Sequence, residues 1–192
     1  MDEGGALSLV RSAELYGGYR WIEQRIFELT GAWAAEPEIP EIQIHLDEVS
    51  AEHAWHAELF FDRLPVLDWV NPDELTVPVG PAVGPLFDAL AGPSFASPVV
   101  RLGVLSRVVL PRLVTTYERH LGRARPVADA PAMRVLKLVL ADERAAAATG
   151  TALVAKAAGA LGDAAQLEAC ERLESVVVNS GVGEGLVPWP NQ

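Results

Sequence analysis

A chain of 192 residues can bury roughly 70% of its unfolded surface in one domain, so its core needs no disulfide or metal staple. The formal charge of −11, from 26 acids against 15 bases, repels phosphate backbones and argues against a nucleic-acid partner. Cys170 stands alone, which excludes an internal disulfide and any cysteine-built metal site. The opening MDEGGALSLV has neither a basic leader nor a long apolar region, and no apolar run reaches the ~18 residues that span a bilayer. A cytoplasmic protein with no membrane partner is expected.

From about Leu7 to Ala34, apolar residues fall at Leu15, Tyr19, Ile22, Ile26, Leu29 and Trp33, the steps of three and four that mark one stripe of a helix. Gly31 and the Pro37/Pro40 pair end it, and the short AEPEIPEI connection turns the chain into an antiparallel second helix over about Glu38 to Arg63. Residues 64–97 carry six prolines, from Pro65 to Pro93, and Pro98 follows at once, too many for a long helix, yet Leu67, Trp69, Leu86, Phe87 and Leu90 make them too apolar for a free linker. An ordered crossover with one short helix at PLFDALAG is predicted. A third helix follows over about Val99 to Leu121, kinked near Pro111, and Asp129 caps a fourth through MRVLKLVLADERAAAATGTALVAKA. A short fifth helix over about Ala164 to Val178 and a C-terminal tail, residues 179–192, complete the chain. Two helical hairpins joined by so long a connection predict an all-α, crossover four-helix bundle forming a single domain over residues 1–192.

Stepping 100° per residue separates polar side chains that share the apolar stripe from those that face water. Glu23 falls among Tyr16, Tyr19, Ile26 and Thr30; His53 and His56 lie within the arc of Ile42, Leu46, Val49 and Phe60; Glu143 is surrounded by Leu136, Val139, Leu140 and Ala147. Glu48, Glu52 and Glu58 belong to a solvated face, and His45 to the border of the stripe. At ~1.5 Å per residue from the first turn, Glu23 lies roughly 16 Å down and His53 roughly 22 Å, and crossover wiring brings Glu143 to a similar depth. His120 and Tyr117 are expected near the far end. The predicted cluster is therefore Glu23, His53, His56 and Glu143, with Tyr16 and Tyr19 close by. Two carboxylates and two imidazoles in an apolar interior suit one Fe, Mn or Zn ion, and equally suit metal-free proton transfer.

With HAWHAELF, VVLPRLVTTYERHL and LVLADE, the chain resembles the ferritin-like superfamily, including bacterial ferritin-like proteins without assigned activity, over roughly residues 7–160. Carboxylate-bridged di-iron members place Glu on helices one and three and a Glu-x-x-His pair on helices two and four. The resemblance puts Glu23 in the helix-one ligand place, His56 in the helix-two histidine place and Glu143 in the helix-four glutamate place. The pattern departs at three points. His53 replaces the glutamate before His56, Ala146 the histidine after Glu143, and Ser106, Val109 and Leu110 stand where helix three should offer an acid. An intact di-iron centre is not expected. A His triad on one zinc or nickel, as in DinB-like bundles, has His45, His53 and His56 available but lacks the third-helix His-x-x-x-His.

The expectation is a bundle enzyme of bacterial, including secondary, metabolism that works on a small organic molecule through Glu23, His53, His56 and Glu143, with Tyr19 as a further catalytic candidate. One metal ion would support oxidation; metal-free acid/base chemistry would support isomerisation, dehydration or cyclisation. The alternative is a non-catalytic scaffold or partner-binding homodimer around a relic metal site.

Overall fold

The computed structural model describes residues 7–36, 39–65, 71–92, 95, 97–161 and 185–187, without the side chains of residues 158–161. The described residues form helices and the turns between them, with no strand among them. The predicted fifth helix, Cys170 and most of the tail, Trp189 included, lie outside them.

Helix α1 runs over Leu9–Ala34, opened by Ser8, whose hydroxyl accepts the Arg11 N–H at 3.1 Å. Helix α2 covers Pro40–Phe61; Pro40 sits in its first turn, where a missing N–H costs nothing. The segment PLFDALAG contributes to the short α3, Val83–Leu90, within the crossover. The predicted third helix is divided: α4, Pro98–Val104, and α5, Leu110–Arg123, are joined by a single wide π-turn over Leu105–Val109. The kink expected at Pro111 thus takes the form of a backbone bond from Leu110 N–H to Leu105 carbonyl, just before the ring that cannot donate. Helix α6 spans Ala130–Leu161, and the Asp129 carbonyl accepts its first bond from Met133 at 2.8 Å.

The ends of the helices fix the wiring. Arg101 at the start of α4 pairs with Glu36 just past α1 (2.5 Å), and Lys156 late in α6 pairs with Glu41 at the start of α2 (2.6 Å). At the opposite end, the starts of α1 and α6 meet the end of α2 around Leu7, Arg63 and Asp129. Helices α1 and α6 therefore run one way, α2 and α4–α5 the other, and the crossover must travel the bundle's length. It climbs the outside of α1: Arg20 holds Asp73 (2.9 Å) and the Thr76 hydroxyl (2.8 Å), Trp21 meets Phe87 edge to face, and Arg25 reaches Asp88 (3.6 Å). Gly17 and Gly18 allow this close approach. A Cβ at Gly17 would stand 2.0 Å from the Leu75 carbonyl oxygen, and one at Gly18 1.9 Å from a Val79 methyl.

One apolar core joins these elements, from Leu15, Ile22 and Ile26 on α1 through Leu46 and Phe60 on α2, Leu86 and Leu90 on α3, Leu102 and Leu113 on α4–α5, to Leu136 and Val139 on α6. Among the described residues no helix is long and apolar enough to cross a membrane.

Candidate metal centre

Glu23, His53, His56 and Glu143 project from α1, α2 and α6 into this core, and none exposes more than 2% of its surface. One ligand-type atom from each lies within 4.8 Å of all the others. His53 Nδ1 is bonded directly to Glu23 Oε2. The remaining approaches are 3.3 Å from His56 Nδ1 to Glu143 Oε1, 3.5 Å from His56 Nδ1 to Glu23 Oε2, and 3.6 Å from His53 Nδ1 to Glu143 Oε1. Glu48, Glu52 and Glu58 are exposed on the outer face of α2.

Two further residues orient this set. Tyr117 on α5 donates its hydroxyl to Glu23 Oε1, which leaves Oε2 to the imidazoles. Asp142, one residue before Glu143 and partly exposed, lies 3.2 Å from His56 Nε2, so the two ring nitrogens of His56 face opposite ways, one to a carboxylate near the surface and one into the cluster. Neither was among the expected cluster residues; Tyr117 in particular was expected near the far end. A tyrosine on a descending helix leans back toward that helix's N-terminus, and its ring carries the hydroxyl about a turn above its own Cα.

Tyr19 packs against the cluster without bonding to it. Its ring meets Tyr117 and Phe60 edge-on, with centroids 5.0 and 5.3 Å away, and its hydroxyl lies 3.1 Å from His120 Nδ1. Tyr16 stacks on the other side of His120, rings 5.6 Å apart and nearly parallel. His45 is buried but sits two turns above His53, its Nε2 3.2 Å from where a Cβ on Gly150 would lie, apart from the other imidazoles.

The charges are strongly interdependent. Burial alone would push both glutamates up; for Glu23 the attraction and hydrogen bonding of His53 and His56 overcome it and hold the carboxyl down at about 2. Glu143 stays raised, since burial and the nearby Glu23 charge outweigh the imidazoles. Burial disfavours the imidazolium of His56, but the two carboxylates more than offset that and bring it up to about 11; His53 is raised for the same reason. Burial holds the Tyr117 phenol well above its usual range, with Glu23 adding to the effect, so it remains a donor.

One part of the centre is not satisfied by the protein. Both oxygens of Glu143, and Nδ1 of His56, are buried without a hydrogen-bond partner, because their mutual approaches lack the alignment a bond requires. Such groups cost several kcal/mol unless something else is matched to them. Four ligands at ~2.1 Å around a tetrahedral ion stand ~3.4 Å from one another. The 3.3, 3.5 and 3.6 Å separations have that size, while Glu23 Oε2 and His53 Nδ1, bonded to each other, would have to part for both to join the donor set around a single divalent ion. The set supplies only two carboxylates; Ser106, Val109 and Leu110, where an acid would be expected on the third helix, are buried, and Ser106 packs above the cluster beside Gly150.

Comparison with protein-family models, curated proteins and solved structures finds no match to this chain.

Proposed function

We propose that this chain is a ferritin-like metalloprotein in which Glu23 Oε2, His53 Nδ1, His56 Nδ1 and a Glu143 oxygen hold one divalent transition-metal ion, and that it acts on a small organic molecule. The observation that carries the reading is the orphaned trio, Glu143 Oε1, Glu143 Oε2 and His56 Nδ1, buried at ion-sized spacing. Antiparallel hairpins joined by a lengthwise crossover support the ferritin-like part. A bound ion supplies Lewis-acid polarisation, and one-electron chemistry if it is iron or manganese. The chain's own residues would prepare the site: Tyr117 fixes the Glu23 carboxylate, Asp142 holds His56 by Nε2 so that Nδ1 faces the cluster, where a bound ion would displace its proton, and the core keeps water out. Elemental analysis of the full chain, purified without chelator and supplemented with Fe, Mn and Zn, should find about one equivalent of one ion. Below about 0.1 equivalent after supplementation, the metal reading is wrong.

A non-catalytic scaffold is the second reading, favoured by one observation: no cluster residue lines the cleft at the lower end of the bundle, from which Tyr16, Tyr19 and Tyr117 separate the centre. Under it, substitution of the cluster changes stability and leaves every small-molecule conversion untouched.

A further inference from the structure

At the lower end of the bundle a cleft of about 390 Å³ opens between the starts of α1 and α6 and the end of α2. That volume lies within the range of small-molecule sites. Leu7, Leu9, Pro131 and Ala132 give it apolar walls, and five polar side chains face it: Ser12 and Tyr16 from α1, Asp62 and Arg63 from α2, and Asp129 at the cap of α6.

These five are unequal in what they still need. Asp129 is engaged, its carboxylate accepting the Arg125 N–H at 2.7 Å. Asp62 is exposed at the rim. Arg63 is partly buried, forms no ion pair with the described residues, and its Nε is out of water with no acceptor. Its backbone is fixed at the helix end through Arg63 N–H to Phe60 carbonyl at 3.0 Å. Tyr16 is almost fully buried, and burial with the Asp129 charge pushes its phenol up to about 12, so it too offers a proton. The missing component is an acceptor. Guanidinium, phenol and hydroxyl donors beside an apolar wall match an anionic head on an apolar body, and a planar carboxylate suits arginine's two-pronged geometry.

We propose that this cleft is a binding site for small amphipathic carboxylic acids, with Arg63 anchoring the carboxylate, Tyr16 and Ser12 donating to it, and the chain of the acid lying against Leu7, Leu9 and Ala132. The site is separate from the metal centre. Tyr16 lies seven residues before Glu23, roughly 10 Å along the helix axis, and the ligand stops at the Tyr16–His120 stack.

The test is a titration of the full-length chain with hexanoate, followed by amide chemical shifts of Ser12, Arg63 and Ala132, with hexanamide and hexylamine as matched neutral and cationic probes. Saturable shifts with hexanoate in about the millimolar range, none with the other two, and at least about tenfold weaker binding to Arg63→Gln are expected, with Arg63→Lys in between. Circular dichroism and thermal unfolding of both variants establish that they are folded. Equal response to the amide or the amine, no saturation, or undiminished binding to folded Arg63→Gln overturns the proposal. Metal content is read in a separate experiment, so failure here leaves the metal reading standing, and the reverse.

Discussion

Tyr117 and Glu23 are 94 positions apart in the chain, yet the tyrosine hydroxyl donates directly to the buried carboxylate. This bond ties α5 to α1 across the core and decides which oxygen of Glu23 faces the imidazoles.

Tyr117→Phe should leave the helices intact and strand Glu23 Oε1 without its donor. A loss of about 1–3 kcal/mol in urea unfolding is expected. Affinity for an added divalent ion should fall by roughly tenfold or more, as when an outer hydrogen bond to a ligand is removed. Unchanged affinity with unchanged stability would show that the bond orients nothing.

Glu143→Gln separates ion binding from packing. It removes one of the two carboxylates that hold His53 and His56 protonated, so the metal-free variant should lose stability at neutral pH, by about 3 kcal/mol. Adding Zn or Mn should raise the parent's unfolding free energy, by about 2.7 kcal/mol at a hundredfold excess over Kd, and should leave the variant where it was. Thermal unfolding with and without the ion reads both arms.

His120 gives a pH dependence of known sign. Burial lowers it from the ordinary histidine value to about 4, against a smaller upward pull from Asp129. The unfolded chain therefore binds a proton near pH 6.5 that the folded chain refuses until about pH 4, and the folded state loses stability as pH falls through that window, by an amount on the order of 3 kcal/mol. Buried His45, also lowered, acts in the same direction, while the raised His53 and His56 act in the opposite one. The measurable quantity is thus the difference between the parent and His120→Gln. Their unfolding free energies should converge as pH drops from 6.5 to 4, and parallel curves would contradict the burial of a neutral imidazole.

Gly17→Ala tests the crossover. In an exposed helix the change would stabilise by about 1 kcal/mol. Here the new methyl collides with the Leu75 carbonyl, so a net loss of about 1–3 kcal/mol is expected, with faster proteolytic cleavage within residues 71–92. A gain in stability would mean that the crossover does not lie against α1 as described.

The helices of the described residues are legible because each carries an apolar stripe, and the same stripe exposes Glu23, His53, His56 and Glu143 as polar residues out of place. Periodicity does not reveal Tyr117 and Asp142. Direction alone puts Tyr117 on the inner face, but its Cα lies lower than the cluster, and a long aromatic side chain moves its polar atom by a turn. Asp142 precedes Glu143 and belongs to the neighbouring face, where periodicity marks it as solvated; only the position of His56 Nε2 gives it a role. The π-turn was hidden for a different reason. Pro111 announces a distortion, while whether the chain bends, breaks or widens depends on what packs opposite, here Gly150 on α6 close to Ser106 and Leu102.

The lengthwise crossover also governs the order in which the molecule can assemble. Glu23, His53 and His56 belong to the hairpin α1–α2, which can close through contacts near in sequence; Tyr117, Asp142 and Glu143 belong to the hairpin α5–α6, which can do the same. Only the docking of one upon the other, after a strap of more than thirty residues has been laid down from end to end, joins the two groups of donors. An ion that needs both would act as a clasp, captured in the last step of folding and released only when the halves part.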